Sequence, residues 1–294
     1  MDVVSAIWRV VVIGVVAGSL YVPVATGLVI VYRSSGLLNF AQGAMCFVGG
    51  YAFFYFADRL GLPTPVGILV SLLIMAVLGL AIHFLLVVPV AGKGPVIAIM
   101  VTIALGSVLE AAMFLMFGTG QQFLNDPLPA AGVHLPGNVA ISPLDIATVA
   151  VAVVIVVGLF ALMRFTRFGI AVRAVSDSAL LAGYWGQNSN RIVGWTWALA
   201  GILSTLAGIA YAMQSVLDSG MLTLGTLVFP AIILGGMDSL GGAVLGSLLL
   251  GITVEASTLY LGAQWSNFVV YAALLVLLGV RPFGLFGSRE VSRL

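Results

Sequence analysis

The sequence predicts an all-α fold, a polytopic membrane bundle of about eight or nine transmembrane helices. Two observations carry this prediction. Hydrophobic residues fill 62% of the 294 positions and charged residues only 7%, against roughly 25% charged in a soluble domain. The apolar residues also fall in runs of about 20, the length that crosses a hydrocarbon core of roughly 30 Å at 1.5 Å per residue. With no water to bond their backbones, such runs are stable only as helices. Alternating barrel-type patterning is absent.

The runs lie at about 10–32, 37–57, 66–90, 95–117, 143–163, 192–214, 223–236, 241–261 and 265–280. The first is too long for a signal h-region and lacks a clear cleavage site, which predicts a retained helix. Run 37–57 is interrupted by Gln42, Gly43, Gly49 and Gly50, and run 223–236 is short. Either could be re-entrant or discontinuous. Small residues recur every fourth position at Gly14 and Gly18, at Gly242 and Gly246, and along Ala200, Ser204, Gly208 and Ala212, a spacing that lets membrane helices approach closely. No separate soluble domain interrupts residues 1–294, which read as one transmembrane domain.

Two polar stretches remain, 118–142 and 164–191. Positive charge orients the bundle. Arg164, Arg167, Arg173 and Arg191 place the 164–191 loop in the cytoplasm, and Arg281, Arg289 and Arg293 place the carboxyl tail there. The 118–142 loop lacks Lys and Arg and contains Pro127, Pro129, Gly132, Pro136 and Gly137, as an irregular external loop would. Counting back puts Lys93 and Arg33 inside and Arg59 outside beside Asp58. The amino terminus then lies outside if all nine runs cross, and inside if one of the first two does not.

The cytoplasmic stretch carries the most chemistry. Ser176 or Asp177 can cap a short helix with apolar residues Ala179, Leu180 and Ala182, and Gly183 or Gly186 can end it. Such a helix is too short to stand alone in water. Its apolar face is covered either by the rest of the chain or by a cytoplasmic partner.

The segment Thr166-Arg167-Phe168-Gly169, Arg173-Ala174-Val175, Asp177, Ala182, Gly186 and Arg191 resembles the signature loop of permeases in branched-chain amino acid ABC transporters, the LivH-like group. Leu38-Asn39-Phe40-Ala41-Gln42-Gly43 resembles an early motif of that family. The stretch from Leu234 to Gly246 resembles its glycine-rich late motif, and Arg281-Pro282-Phe283-Gly284-Leu285-Phe286-Gly287 its closing motif. The match runs in order over about residues 10–287 of the chain. The resemblance implies an ABC-importer permease in a prokaryotic inner membrane. Its partners would be a second permease subunit, homologous or identical, two cytoplasmic ATPase subunits that hold ATP and Mg, and an extracytoplasmic solute-binding protein. The solute would be a branched-chain amino acid or a related small amino acid or amide. It also implies an ATPase-coupling interface at Arg173, Ala174, Asp177, Ala179, Leu180, Gly183, Tyr184 and Gly186. Two departures stand out: Tyr184-Trp185 replace smaller aliphatic residues, and Gln42 replaces the His of some amino-acid permeases.

Polar residues inside the runs are candidates for the translocation pathway. Asn39 and Gln42 are three apart, hence on one helical face, beside Gly43. They would line the pathway or bond neighbouring helices. Glu110 and Glu255 fall in the outer half of the membrane, where an unpaired charge costs a few kcal/mol, so each is protonated, solvated by a cavity, or paired. As proton-coupling carboxylates they would serve the alternative function, a secondary transporter. His83, near the cytoplasmic end of its run, reads as structural, and His134 as a solvated loop residue. His83, His134 and Cys46 are too far apart for a metal-site pattern. The net charge of +1 gives no reason to expect a nucleic-acid partner. Val90-Ala91-Gly92-Lys93-Gly94-Pro95 lacks the leading Gly, the Ser/Thr and the strand of a P-loop, so ATP hydrolysis must occur on another chain. An intramembrane enzyme is disfavoured because no Gly-x-Ser-x-Gly and no convincing Ser/His pair occurs.

Overall fold

The computed structural model describes residues 3–124, 132–135 and 139–287. Eleven helices account for most of these residues. They are α1 Val3–Ser35, α2 Gln42–Phe54, α3 Thr64–Ile82, α4 Pro95–Phe117, α5 Pro143–Phe165, α6 Arg167–Asp177, α7 Ala179–Tyr184, α8 Ser189–Gln214, α9 Leu222–Gly235, α10 Leu240–Tyr260 and α11 Ser266–Val280. A π turn at Tyr55–Arg59 extends α2, and another at His83–Val87 carries α3 on to Val90. Seven helices are long and apolar enough to cross a membrane. Adding α2 and α9 recovers all nine runs. One departure from an all-α chain is a short antiparallel strand pair, β1 Val133–Leu135 with β2 Val139–Ile141. The prolines Pro127, Pro129 and Pro136, with Gly137, Arg289 and Arg293, lie outside the described residues, as does the side chain of His134.

The helix ends sort onto two opposite faces. On one face the tail crosses the end of α9, with the Leu285 and Phe286 amides donating to the Leu234 and Gly235 carbonyls at 2.9 and 3.0 Å. The end of α1, the α6–α7 segment and the start of α10 border the same surface. On the other face Gln122 pairs with Leu217, Arg59 reaches Gln122 and Gln121 reaches Asp218. The start of α1 lies there too, beside Ile141 and Asp145. Nine helices thus alternate between the faces, and the amino terminus shares the face of the 118–142 loop.

The core is built around α1, α2, α8 and α9, with α3, α4, α5 and α11 at the periphery. Small residues set the crossings. A Cβ at Gly14 would lie 2.6 Å from the Ile252 Cα, so α1 and α10 touch backbone to backbone. On α8, Ala200 and Ser204 meet Gln42, and Gly208 packs on the Cys46 and Gly50 backbone of α2. Gly242 and Gly246 receive Gly235 and Ala231 of α9. All three small-residue repeats are therefore packing seams. Without a hydrophobic drive between helices in lipid, this close approach is what holds such a bundle together.

Candidate functional site

The 164–191 loop holds two helices rather than one. Thr166 caps α6, its hydroxyl accepting from the Gly169 amide at 3.1 Å, and Ser178 caps α7 by accepting from Leu181 at 3.3 Å. The expected caps, Ser176 and Asp177, instead lie in the last turn of α6. Gly186 ends α7 at φ +76°, with its amide bonded to Gly183 O and the Gln187 amide to Ala182 O. That pair of bonds is the Schellman pattern, and the left-handed φ explains the glycine.

The two helices divide the predicted coupling residues. Val172 and Val175 of α6 and Ala182 of α7 are buried in one cluster with Val31, Ile192, Val193 and Trp197. Ala182 therefore faces inward and anchors α7 instead of joining its outer face. Arg173 is also held inward, its guanidinium donating to the Met163 carbonyl at the end of α5. Ala174 and Asp177 are exposed on α6, and Ala179 and Gly183 on α7. Leu180, Leu181, Tyr184 and Trp185 are 71%, 59%, 80% and 86% exposed. Three large apolar side chains of a six-residue helix, and a fourth from its C-cap Trp185, thus project outward while the opposite side is packed on the bundle.

The intramembrane candidates do not converge on one cavity. Asn39 and Gln42 are fully buried. The Asn39 amide donates to Gln42 Oε1 at 2.8 Å, its Oδ1 accepts from the Ala41 amide at 3.0 Å, and Gln42 Nε2 donates to Ser204 Oγ at 2.7 Å. Gln42 bridges the α2–α8 seam, and Asn39 holds it there from the turn that enters α2. They would meet a lumen only if that seam opened. Ala200 lies 11 residues into α8, so Gln42 starts α2 about 16 Å below the α8 terminus, and residues 36–41 descend as irregular chain. The break in run 37–57 thus precedes Gln42 and Gly43 rather than falling at them. Gly43 is buried against Gly225 of α9, where each glycine occupies the space of the other's Cβ. Phe40 stacks on Phe229 with ring centroids 4.7 Å apart.

Glu110 on α4 and Glu255 on α10 are half-buried and have no hydrogen-bond or ion-pair partner among the described residues. His83 is buried, with Nε2 2.9 Å from the Asn190 carbonyl at the start of α8. That contact fits a structural role. No cluster of metal-ligating side chains occurs among the described residues.

A family model described as the permease component of branched-chain amino acid transport systems matches residues 10–278. The chain belongs to that permease family. This permease is 28% identical to the high-affinity branched-chain amino acid permease BraD of Pseudomonas aeruginosa, over 95% of each chain. It is equally similar, over the same shares, to LivH of Escherichia coli K12. A third relative is the autoinducer 2 import permease LsrC of Yersinia enterocolitica, 29% identical over 63% of this chain and 52% of the relative. The permease is therefore a multi-pass transport subunit and not an enzyme, working as one component of a larger system. Family membership lends no support to the secondary-transporter alternative built on Glu110 and Glu255. Sequence reasoning missed the exposure of Leu181 and Trp185, although their spacing around Leu180 and Tyr184 was the available signal.

Proposed function

We propose that this chain forms part of the membrane pathway of an ATP-driven importer for branched-chain amino acids or related small amino acid or amide solutes. The face bearing Arg33, Lys93, Arg164, Arg167, Arg173, Arg191 and Arg281 is cytoplasmic, since among the described residues the opposite face has only Arg9 and Arg59. The membrane is the inner membrane of a prokaryote. Relatives named for branched-chain amino acids match 95% of the chain, whereas the autoinducer 2 relative matches 63% of it.

One observation supports the reading: large apolar side chains of α7 stand exposed on the arginine-rich face. Covering a large side chain of this kind contributes about 1.5–3 kcal/mol, and aromatic anchors dominate interface energetics. Such a surface fits the groove of a cytoplasmic ATPase. Leu180, Leu181, Tyr184 and Trp185 dock, while Ala174, Asp177, Ala179 and Gly183 border the contact. Arg173 and Gly186 position the helices rather than touching the partner. Two ATPase subunits hold ATP and Mg, a second permease subunit completes the pathway, and an extracytoplasmic binding protein delivers solute.

Motion enters through rigid contacts. The ATPase pushes α7, Ala182 passes the displacement to α6, and α6 abuts α1, α5 and α8. A conformational equilibrium shifts only through contacts that differ between its states, and the α7 interface supplies them. Glu110 and Glu255 line the outer half of the pathway, where water solvates them. Asn39, Gln42 and Gly43 hold α2 against its neighbours beside the pathway rather than contacting solute. The test is Leu180→Asp in the assembled system. The expected result is at least a tenfold loss of ATPase retention or uptake with normal membrane insertion. Unaltered retention and uptake would remove α7 from the mechanism.

A further inference from the structure

A groove of about 510 Å³ opens on the basic face between the ends of α1 and α5, α6, and the start of α10. Its upper wall is cationic. Arg33 and Arg164 come from the last turns of α1 and α5, and Arg173 from α6. Among the described residues Asp238 is the only acid in the lining, against three arginines, so the lining carries excess positive charge. The start of α10 adds amides: Ser239 Oγ takes the Gly242 N–H at 3.0 Å, and the Leu240 and Gly241 N–H groups make no hydrogen bond among the described residues. The N-terminal N–H groups of a helix have no intrahelical acceptor, and its dipole favours an anion.

One turn inward of Arg164, Phe160 leaves an exposed apolar surface on α5, with the half-buried Met163 and the buried Ile30 behind it. Cationic groups at the depth of helix ends, above an apolar surface facing the chain interior of a bilayer, match one ligand chemistry. A phosphate bears the charge, and hydrocarbon continues below it. Basic pockets between membrane helices bind anionic headgroups by this arrangement. We infer that this groove holds the headgroup of an anionic phospholipid of the cytoplasmic leaflet, with Arg33 and Arg164 as its principal ligands. The bound lipid would tie α6 to the ends of α1 and α5, beneath the coupling helix. The inference is independent of the transported solute.

The test uses the purified full chain in mild detergent, offered equal amounts of phosphatidylglycerol and phosphatidylcholine and read by native mass spectrometry. The wild type is expected to retain phosphatidylglycerol selectively. Arg33→Gln with Arg164→Gln is expected to weaken that retention about 25-fold, about fivefold for each arginine near the surface. Arg33→Lys with Arg164→Lys keeps the charge and should keep most of the selectivity, which separates charge loss from misfolding. Arg191→Gln, an exposed cation outside the groove, should change nothing. Absence of selectivity in the wild type, its survival in the double Gln variant, or its equal loss in Arg191→Gln would overturn the proposal. Full displacement of the lipid by inorganic phosphate would overturn it in favour of free phosphate as the ligand.

Discussion

Replacing Gln42 by Leu separates a structural role from a pathway role at the α2–α8 seam. The change removes the acceptor at 2.8 Å from Asn39 Nδ2 and the donor at 2.7 Å from Ser204 Oγ. Asn39 Nδ2 keeps only the Met45 sulfur at 3.4 Å, a weak acceptor. Ser204 loses less, because its hydroxyl can turn to the carbonyl four residues back, as Thr205 does toward Gly201 at 2.8 Å. The net cost is then one amide hydrogen bond and a poorly satisfied N–H, about 1–2 kcal/mol. Hydrogen bonds between membrane helices measure about 0.6 kcal/mol on average and up to about 1.7, which supports the lower half of that range. Thermal unfolding in detergent should fall by about 2–6 °C, scaling from about 2–4 °C per kcal/mol in large domains. Uptake per folded molecule should stay within about twofold of wild type. An unchanged unfolding temperature with abolished uptake would refute the structural assignment and place Gln42 in the open pathway.

Gly225→Val puts a Cβ 2.8 Å from the Gly43 amide nitrogen, against backbone that cannot yield. Overpacking of this kind costs about 1–3 kcal/mol or more, so the folded yield from gel filtration should drop sharply. Gly186→Ala forces an L side chain into φ +76° at a cost of about 1–2 kcal/mol. Hydrogen exchange at Gln187 should accelerate at least fivefold, and an unchanged rate would contradict the cap. Glu110→Gln and Glu255→Gln remove carboxylates that have no partner among the described residues. Yield should hold while uptake falls several-fold, and full uptake in both would take these residues out of the pathway.

Much of this fold was legible because bilayer physics is simple: every apolar run of sufficient length became a helix. The finer features depended on contacts distant in sequence. The loop at 164–191 reads as one amphipathic helix until Val172 and Val175 are seen buried beside Ile192 and Val193, which makes α6 a helix in its own right. Ser178 rather than Asp177 became the cap because α6 continues through Asp177. Gln42 and Gly43 look like a helix break, yet the break is fixed upstream by Asn39, whose Oδ1 holds the Ala41 amide in a turn. Gly43 then starts a helix because Gly225, some 180 residues away in sequence, has no side chain to oppose it. The strand pair at Val133–Ile141 left no helical or strand signal strong enough to override the surrounding prolines and glycines.

The central claim is that α7 is where a separate ATPase acts on an otherwise passive membrane subunit. The most direct measurement reconstitutes the permease into sealed vesicles loaded with ATP, with and without its ATPases, and follows uptake of labelled leucine delivered by the binding protein. Concentrative uptake is expected only with the ATPases present, and its loss when Leu180 is charged. Concentrative uptake by the permease with no ATPase in the vesicle would contradict it.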